Sequence, residues 1–272
     1  MKKIREQILQ FKPNYVFTHL TFHDTIHKRD NVLQMFSELY KRYDIKFIHT
    51  CNDARTVDRY MNDISNCIYT SLVGSYDMVE NCEPKWKVPT FYTPYSALVQ
   101  HNIAEPINEL KFKEPVFTGS VNAHSDRKKF INLLRDFGVK LKIFGAQSDN
   151  DMRHRTQELS SSANCIMGLC TGYRINFYID VRPYQYLGSG ACMIMRKFKG
   201  MDNIIPPDLY YSFEGYGQKD AKYVKETYQR ILKTDTWPMR CKAFRYMQQN
   251  HSSKVRIKQI LDVLEGKKDS IL

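Results

Sequence analysis

Apolar positions along the chain follow two patterns, short continuous runs of strand length and longer segments with apolar residues on one helical face. In the first half of the chain, the short runs predict strands at 15–18, 46–51, 66–70 and 88–92. Helical spacing predicts helices at 1–11 and 31–43 and a further helix that carries Val57, Tyr60 and Met61. Pro89 makes the fourth strand an edge strand, because proline cannot donate a hydrogen bond to a neighbouring strand. Strands that alternate with helices favour βαβ units and a largely parallel sheet.

The same alternation restarts after residues 102–113, which we predict to be a linker. Strands are predicted at 114–120, 139–145, 164–168, 191–195 and 209–213. Helices are predicted at 127–137, 152–161, 220–232, 238–248 and 253–264. The sequence therefore predicts an α/β protein with two Rossmann-like domains, residues 1–110 and 111–245. The remaining segment, 246–272, is expected to be a C-terminal helix that packs back toward the first domain.

Glycine ends three successive predicted strands of the second half, at Gly119, Gly145 and Gly168. Ligands of open α/β sheets bind beyond the carboxyl ends of the strands. A glycine there lets a ligand approach the backbone closely. Three such glycines in succession, together with Arg182 at a predicted helix start, predict a cleft for a nucleotide diphosphate.

The stretch from Asp180 to Arg196 predicts a short helix, a glycine turn and a buried strand. Asp180 can cap the helix, and Pro183 suits its first turn, where no N–H group is needed. Arg182 stands beside the start of the helix, where a phosphate would be stabilised. The alternative is an ordinary helix-to-strand connection without a ligand.

The chain is basic, with 41 lysines and arginines against 29 acidic residues and a formal net charge of +12. Such a charge attracts nucleic acid, nucleotide phosphates or an anionic membrane, although a generic basic surface is the alternative. The 42% hydrophobic content argues against global disorder. No apolar run has the length of a signal peptide core or a bilayer span, so we expect a cytoplasmic protein without a membrane partner.

Metal binding is not expected from the residue pattern. The seven cysteines are an odd number and mostly lie in apolar segments, which is typical of buried thiols in a reducing compartment. Asp149, Asn150 and Asp151 match an Asp-x-Asp metal motif, but they follow a predicted strand at a turn, where acidic residues are common.

The second half resembles the donor-binding domain of GT-B glycosyltransferases, notably the group 1 and CgeB-like sets, over about residues 114–260. The segments that carry the resemblance are FTGSVNAHSDR, LKIFG, RPYQYLGSGACMIM and HSSKVR. It implies a GT-B fold, in which two Rossmann-like domains face a cleft, here with a reduced N-terminal domain. The implied donor-binding residues are Gly119, Ser120, Arg127, Gly145, Gly168, Arg182, Tyr184 and Gln185. Gln185 stands where the family has a glutamate for the ribose hydroxyls, and its amide can still form a hydrogen bond without charge.

The first half resembles the family less closely. Its KFIHTCNDAR is similar to the family's strand ending in paired acidic residues, with Asn52 in place of one acid. Asp53 and His19 are the candidates for the base that deprotonates an acceptor hydroxyl in an inverting reaction. The alternatives are that Asp53 caps a helix and His19 is an ordinary strand-end histidine, and a retaining reaction needs no base there.

The small, basic chain also resembles the DNA-modifying glycosyltransferases of T-even-type phages, most of all those that put a pentose such as arabinose on hydroxymethylcytosine. This resemblance implies a UDP-sugar donor and a double-stranded DNA acceptor in the host cytoplasm. It implies no tightly bound cofactor and no divalent metal requirement. Two alternatives stay open: a transferase acting on a cell-surface glycan or protein, and a non-catalytic, basic nucleic-acid-binding protein with the same fold.

Overall fold

The chain divides into two compact units in the computed structural model. The first unit comprises Met1–Pro94 with Val263–Leu272, and the second comprises Tyr95–Asp262. The structure describes residues 2–18, 26–51, 67–80, 87–97, 112, 114–122, 124–145, 158–160, 163–169 and 181–271. The predicted linker, apart from Phe112, lies outside these residues, as does most of the helix predicted at 152–161.

The first unit contains a parallel sheet with helices before and between its strands. Its elements are α1 (Lys2–Phe11), β1 (Tyr15–Thr18), α2 (Ile26–Tyr43), β2 (Lys46–Cys51), β3 (Thr70–Val73) and β4 (Thr90–Tyr92). The strand order is β1-β2-β3-β4, and each neighbouring pair is parallel. Strand β4 follows Pro89 and lies at an edge of the described sheet, which confirms the edge position predicted from the proline.

Strand β3 begins later in the chain than the predicted 66–70. The apolar Cys67 and Ile68 are buried but precede the strand. The strand itself starts with two buried polar residues whose side chains have hydrogen-bond partners. The Thr70 hydroxyl donates to the Pro89 carbonyl at 2.7 Å, and Ser71 Oγ lies 3.0 Å from His49 Nδ1. Because these bonds satisfy the hydroxyl groups, a strand can form where the apolar pattern alone did not indicate one.

The core of the first unit forms where the second helix packs on the sheet. Phe36 of α2 stacks on Phe47 of β2 with 4.0 Å between ring centroids. Leu39 is completely buried in the same cluster, and Leu9 of α1 packs against it. The 3.6-residue spacing predicted from the sequence thus places the apolar face of α2 on the strands.

The second unit contains a five-stranded parallel sheet. Its elements are β5 (Val116–Thr118), α3 (Ser125–Asp136), β6 (Lys142–Phe144), β7 (Ile166–Gly168), α4 (Val181–Leu187), β8 (Met193–Arg196), β9 (Tyr211–Phe213), α5 (Gln218–Ile231), α6 (Trp237–His251) and α7 (Ser253–Leu264). The last two residues of α7 belong to the first unit. Strand β9 is shorter than the predicted 209–213, because Pro207–Leu209 forms a 3-10 helix. The parallel pairing confirms the α/β class predicted from the alternation of strands and helices.

The strand order of the second sheet, β6-β5-β7-β8-β9, reverses direction between β5 and β7. From β5 the chain continues to β6 on one side, and from β7 it continues to β8 and β9 on the other. Such a reversal opens a crevice at the carboxyl ends of the two strands, where open α/β sheets bind ligands. A ligand site is therefore expected at the carboxyl ends of β5 and β7.

The core of the second unit forms where α3 packs on the sheet. Phe130 of α3 stacks on Phe213 of β9 with 5.3 Å between centroids, and Phe117 of β5 is completely buried in the same cluster. Within the described part of the chain, no helix is long and apolar enough to cross a membrane.

Candidate functional site

The three strand-end glycines lie on neighbouring strands. Gly119 follows β5, Gly145 follows β6, and Gly168 is the last residue of β7. Thr118 pairs with Phe144, so Gly119 and Gly145 follow directly opposed residues. Since β6, β5 and β7 are adjacent and parallel, the three glycines lie together at the carboxyl ends of these strands. The sequence predicted the glycines at strand ends, and the strand order brings those ends together.

Arg182 lies against Gly119. A Cβ added to Gly119 would be 2.6 Å from Nη2 of Arg182. The backbone of Gly119 has φ +143°, a conformation that L side chains rarely adopt. The guanidinium also lies 5.9 Å from the centroid of the Phe117 ring. The structure thus brings together two of the residues that the sequence assigned to a diphosphate site.

Arg127 joins the two strand ends on either side of the reversal. It is 4% exposed. Its Nε and Nη2 donate to the Leu169 carbonyl at 3.1 and 2.9 Å, and its Nη1 donates to the Ser120 carbonyl at 2.8 Å. In this structure the guanidinium therefore holds the loops after β5 and β7, and its predicted contact with a diphosphate stays a prediction. The sequence offered no signal for this role, because carbonyl acceptors carry no side-chain signature.

Gly168 has a packing role. A Cβ at this position would lie 2.8 Å from Cγ of Met195 on the neighbouring strand β8. The absence of a side chain at Gly168 leaves room for the Met195 side chain beside the end of β7. Close approach of a ligand to Gly168 and to the half-buried Gly145 stays a prediction.

Helix α4 carries two tyrosines that point in opposite directions, because residues two apart do not share a helical face. The Tyr186 hydroxyl donates to Thr118 Oγ1 at 3.1 Å, and burial raises the pKa of Tyr186. Tyr184 is completely buried, with its ring centroid 5.4 Å from that of His251. Sequence reasoning missed Tyr186 and Thr118. Tyr184 packs against His251 in this structure, and its predicted contact with the nucleotide stays a prediction.

Gln185 and Ser120 are half-buried. The main-chain carbonyl of Gln185 accepts a hydrogen bond from Ser189 Oγ at 2.9 Å, which fixes the end of α4. The predicted contacts of these two residues with a ribose and a phosphate stay predictions.

The acceptor-side candidates, His19 and Asp53, lie outside the described residues, as do Asp180 and the segment 149–151. His19 follows β1 and Asp53 follows shortly after β2, and those two strands are parallel neighbours in the first sheet. Among the described residues, no group of three or more His, Cys, Asp or Glu side chains is arranged to hold a metal ion.

A polar cavity of about 510 Å³ opens beyond β8. Lys197 and Asp202 line it and form an ion pair with 2.7 Å between Nζ and Oδ2. The Tyr210 hydroxyl donates to the other oxygen of Asp202 at 3.1 Å. The carboxyl edge of the second sheet thus carries polar groups beyond β8 as well as beyond β5 and β7.

Comparison of the sequence with protein-family models and with curated proteins gives no match. Solved structures do match. Anabaena HepE in complex with UDP and glucose has a TM-score of 0.63 at 9% identity, over 97% of this chain and 82% of that one. This chain has the GT-B fold. A glycosyltransferase from Rickettsia africae matches with a TM-score of 0.56 at 13% identity, over 96% of this chain and 79% of that one.

Sucrose-phosphate synthase from Thermosynechococcus elongatus is a third match, with a TM-score of 0.57 at 12% identity over 98% of this chain and 77% of that one. These structural matches establish the fold. Because the sequence identities are low, the activity has to be argued from the site. The GT-B fold expected from the sequence resemblance is confirmed.

Proposed function

We propose that this protein is a glycosyltransferase that takes a sugar from a UDP-sugar. The observation that carries the proposal is the contact of Arg182 with Gly119 at the point where the strand order of the second sheet reverses. A cation held against a glycine backbone at the carboxyl end of parallel strands is suited to bind a diphosphate. The likeness to HepE, whose structure contains UDP and glucose, supports a uridine diphosphate donor.

The chemistry follows from the charge of the leaving group. Breaking the bond between the sugar and the diphosphate moves negative charge onto the diphosphate oxygens. The Arg182 guanidinium, supported by the N–H groups of the loop after Gly119, would stabilise that charge. Arg127 contributes by holding the Ser120 and Leu169 carbonyls, so that the loop is already in place before the donor binds. Gln185 would bind a ribose hydroxyl.

For the acceptor we propose a 5-hydroxymethyl pyrimidine in double-stranded DNA, with hydroxymethylcytosine as the first candidate and a pentose such as arabinose as a candidate sugar. The net charge of +12 supports a polyanionic acceptor, since phosphate contacts supply most of the affinity of DNA-binding proteins. Such an enzyme would act in the cytoplasm of the host cell. Asp53 or His19 would take the proton of the acceptor hydroxyl. A cell-surface glycan or a protein is the alternative acceptor.

The donor proposal is tested by thermal unfolding with and without nucleotides. UDP at 100 times its Kd is expected to stabilise the protein by about 2.7 kcal/mol, and ADP less. Arg182→Ala should strongly reduce the stabilisation by both nucleotides, because both carry the diphosphate that Arg182 would bind. Arg230→Ala is a matched control, because Arg230 is an exposed arginine of the same unit that lies over the Tyr211 ring. If no nucleotide diphosphate stabilises the protein, the non-catalytic DNA-binding alternative is favoured.

The acceptor proposal is tested by incubating the protein with hydroxymethylated or unmodified DNA and a panel of UDP-sugars, followed by mass spectrometry of the nucleosides. A hexose or pentose mass on hydroxymethylcytosine alone is the expected result. Duplex affinity should also fall steeply as salt concentration rises. Sugar transfer only to glycans or proteins would replace DNA as the acceptor.

A further inference from the structure

A buried pair of side chains joins the last two helices behind the candidate donor site. His251 ends α6 and Arg256 lies in the first turns of α7, and both are buried. Arg256 Nη2 donates to His251 Nδ1 at 2.9 Å. His251 Nε2 lies 3.0 Å from the Ile204 carbonyl, to which it donates. Because Nδ1 accepts and Nε2 donates, the imidazole is neutral and its ring orientation is fixed from both sides.

The fixed imidazole packs on the donor-site helix. The rings of His251 and Tyr184 meet edge to face, with 5.4 Å between centroids and 65° between planes. Tyr184 is the second residue after Arg182 on α4. A hydrogen bond also joins α6 to the end of α4. Gln248 Nε2 of α6 donates to the carbonyl of Gly188, the residue directly after α4, at 3.0 Å. Helix α6 thus holds α4 from the side that faces away from β5.

The opposite side of α4 is held by β5. Tyr186 donates to Thr118, and Arg182 lies against Gly119. The position of the Arg182 guanidinium over Gly119 therefore depends on how deeply α4 is seated between β5 and α6. A displacement of about 1 Å in such a residue is enough to change binding or rate substantially.

We propose that His251 and Arg256 are positioning residues for the donor diphosphate: through Tyr184 they seat α4 so that Arg182 meets the diphosphate beyond Gly119. The inference rests on the proposed function, in which Arg182 binds that diphosphate. Neither side chain touches the substrate. Their effect reaches it through one ring contact and one short helix.

The test compares UDP with uridine, which lacks the phosphates that Arg182 would bind. Dissociation constants are measured by ligand-observed NMR for the wild type, His251→Ala and Arg256→Met. Both variants are expected to bind UDP about tenfold more weakly, the size of change that residues acting through packing produce. Uridine affinity should stay within about twofold of the wild type, because the nucleoside does not contact Arg182.

Two further variants guard against loss of folding as the explanation. Tyr184→Leu removes the ring contact but leaves the bond between His251 and Arg256, and it should show the same selective loss of UDP affinity. In an Arg182→Ala background, His251→Ala should cause no further loss, because the two changes act on one contact. His49→Ala is the matched control. His49 is a buried histidine of the first unit that is hydrogen-bonded to Ser71, and its loss should leave the ratio of UDP to uridine affinity unchanged.

The outcomes are distinct. Equal weakening of UDP and uridine would show that His251 and Arg256 have only a general structural role, and wild-type UDP affinity in the variants would show that they have none at the site. Additive losses in the Arg182→Ala background would also overturn the inference. If the wild-type protein itself does not bind UDP, the proposed function fails, and this inference fails with it.

Discussion

Gly119 and Arg182 share one small volume beyond β5, where a Cβ on the glycine would lie 2.6 Å from Nη2 of the arginine. That separation is shorter than real Cβ atoms show, so a side chain at position 119 must displace the guanidinium. The φ of +143° together with this close approach favours a glycine directly after the strand. The clearest variants of the site follow from it.

Gly119→Ala should displace Arg182 and also strain the backbone, because φ at this position is +143°. We expect a stability loss of about 1–3 kcal/mol and loss of the thermal shift caused by UDP. Gly138→Ala separates the two effects, since Gly138 has φ +84° but no atom within 4 Å of its added Cβ. The control should lose stability and keep its response to UDP. An undiminished UDP response in Gly119→Ala would contradict the assignment of Arg182.

Arg127→Met should destabilise the second unit, because it removes the donor of two buried hydrogen bonds to Leu169 and one part-buried hydrogen bond to Ser120. The Ser120 and Leu169 carbonyls then lose that partner. The expected loss is about 3 kcal/mol in the free energy of unfolding. Chemical denaturation measures it. Arg135→Met is the control, because Arg135 is exposed on the same helix. Equal denaturation midpoints for the two variants would mean that Arg127 does not hold the strand ends.

Gln185→Glu should preserve or tighten UDP binding, because a carboxylate accepts hydrogen bonds from ribose hydroxyls at least as well as an amide. The affinity of the variant for UDP is the measurement, with the exposed Gln229→Glu as a charge-matched control. A large loss of affinity in Gln185→Glu alone would mean that this residue does not face the ribose.

Acid should weaken the fold through His251. Burial and the neighbouring Arg256 charge lower the pKa of His251 from 6.5 to about 4, against a hydrogen bond to the Ile204 carbonyl that acts in the opposite direction. Unfolded chains therefore bind a proton as the pH falls below 6.5, while the native protein does not until about pH 4. The native state loses stability across that window, by up to about 3 kcal/mol.

His251→Gln isolates this contribution, because it removes the titrating group and retains a donor and an acceptor. Urea unfolding at pH 7 and pH 4.5 measures the difference. The stability of the wild type should fall more than that of the variant, even though carboxylates titrate in both. An equal fall in the two proteins would show that His251 is accessible to protons in the native state.

Much of the fold could be predicted from local pattern. Short apolar runs bounded by glycine predicted β5, β6 and β7 in the second unit, and Pro89 predicted the edge position of β4. The pattern was wrong at β3, where the hydroxyls of Thr70 and Ser71 are satisfied by distant groups. Hydrogen bonds between residues far apart in the chain have no local signature, so polar strands of this kind are missed.

The residues of the candidate site were also only partly predictable from local pattern. Sequence reasoning selected Gly119 and Arg182, because glycine at a strand end and arginine at a helix start are each recognisable on their own. It assigned Arg127 to a phosphate and Tyr184 to a nucleotide, and both assignments stay predictions. The structure adds the hydrogen bonds of Arg127 to the strand-end carbonyls and the ring contact of Tyr184 with His251. Tyr186 and His251 lie in the segments that carry the resemblance, but sequence reasoning assigned neither a role, because their contacts depend on elements that meet only in the folded chain.

The sequence by itself determined most of the elements, the parallel pairing and the glycine-ended strands, because these follow from the spacing of apolar residues and from backbone freedom at single positions. Only the tertiary structure decided that β5 and β7 are neighbours, that the guanidinium of Arg182 lies over Gly119, and that His251 supports Tyr184 from behind. Those relationships arise from strand order and burial, which bring together residues that carry no information about one another in the linear chain.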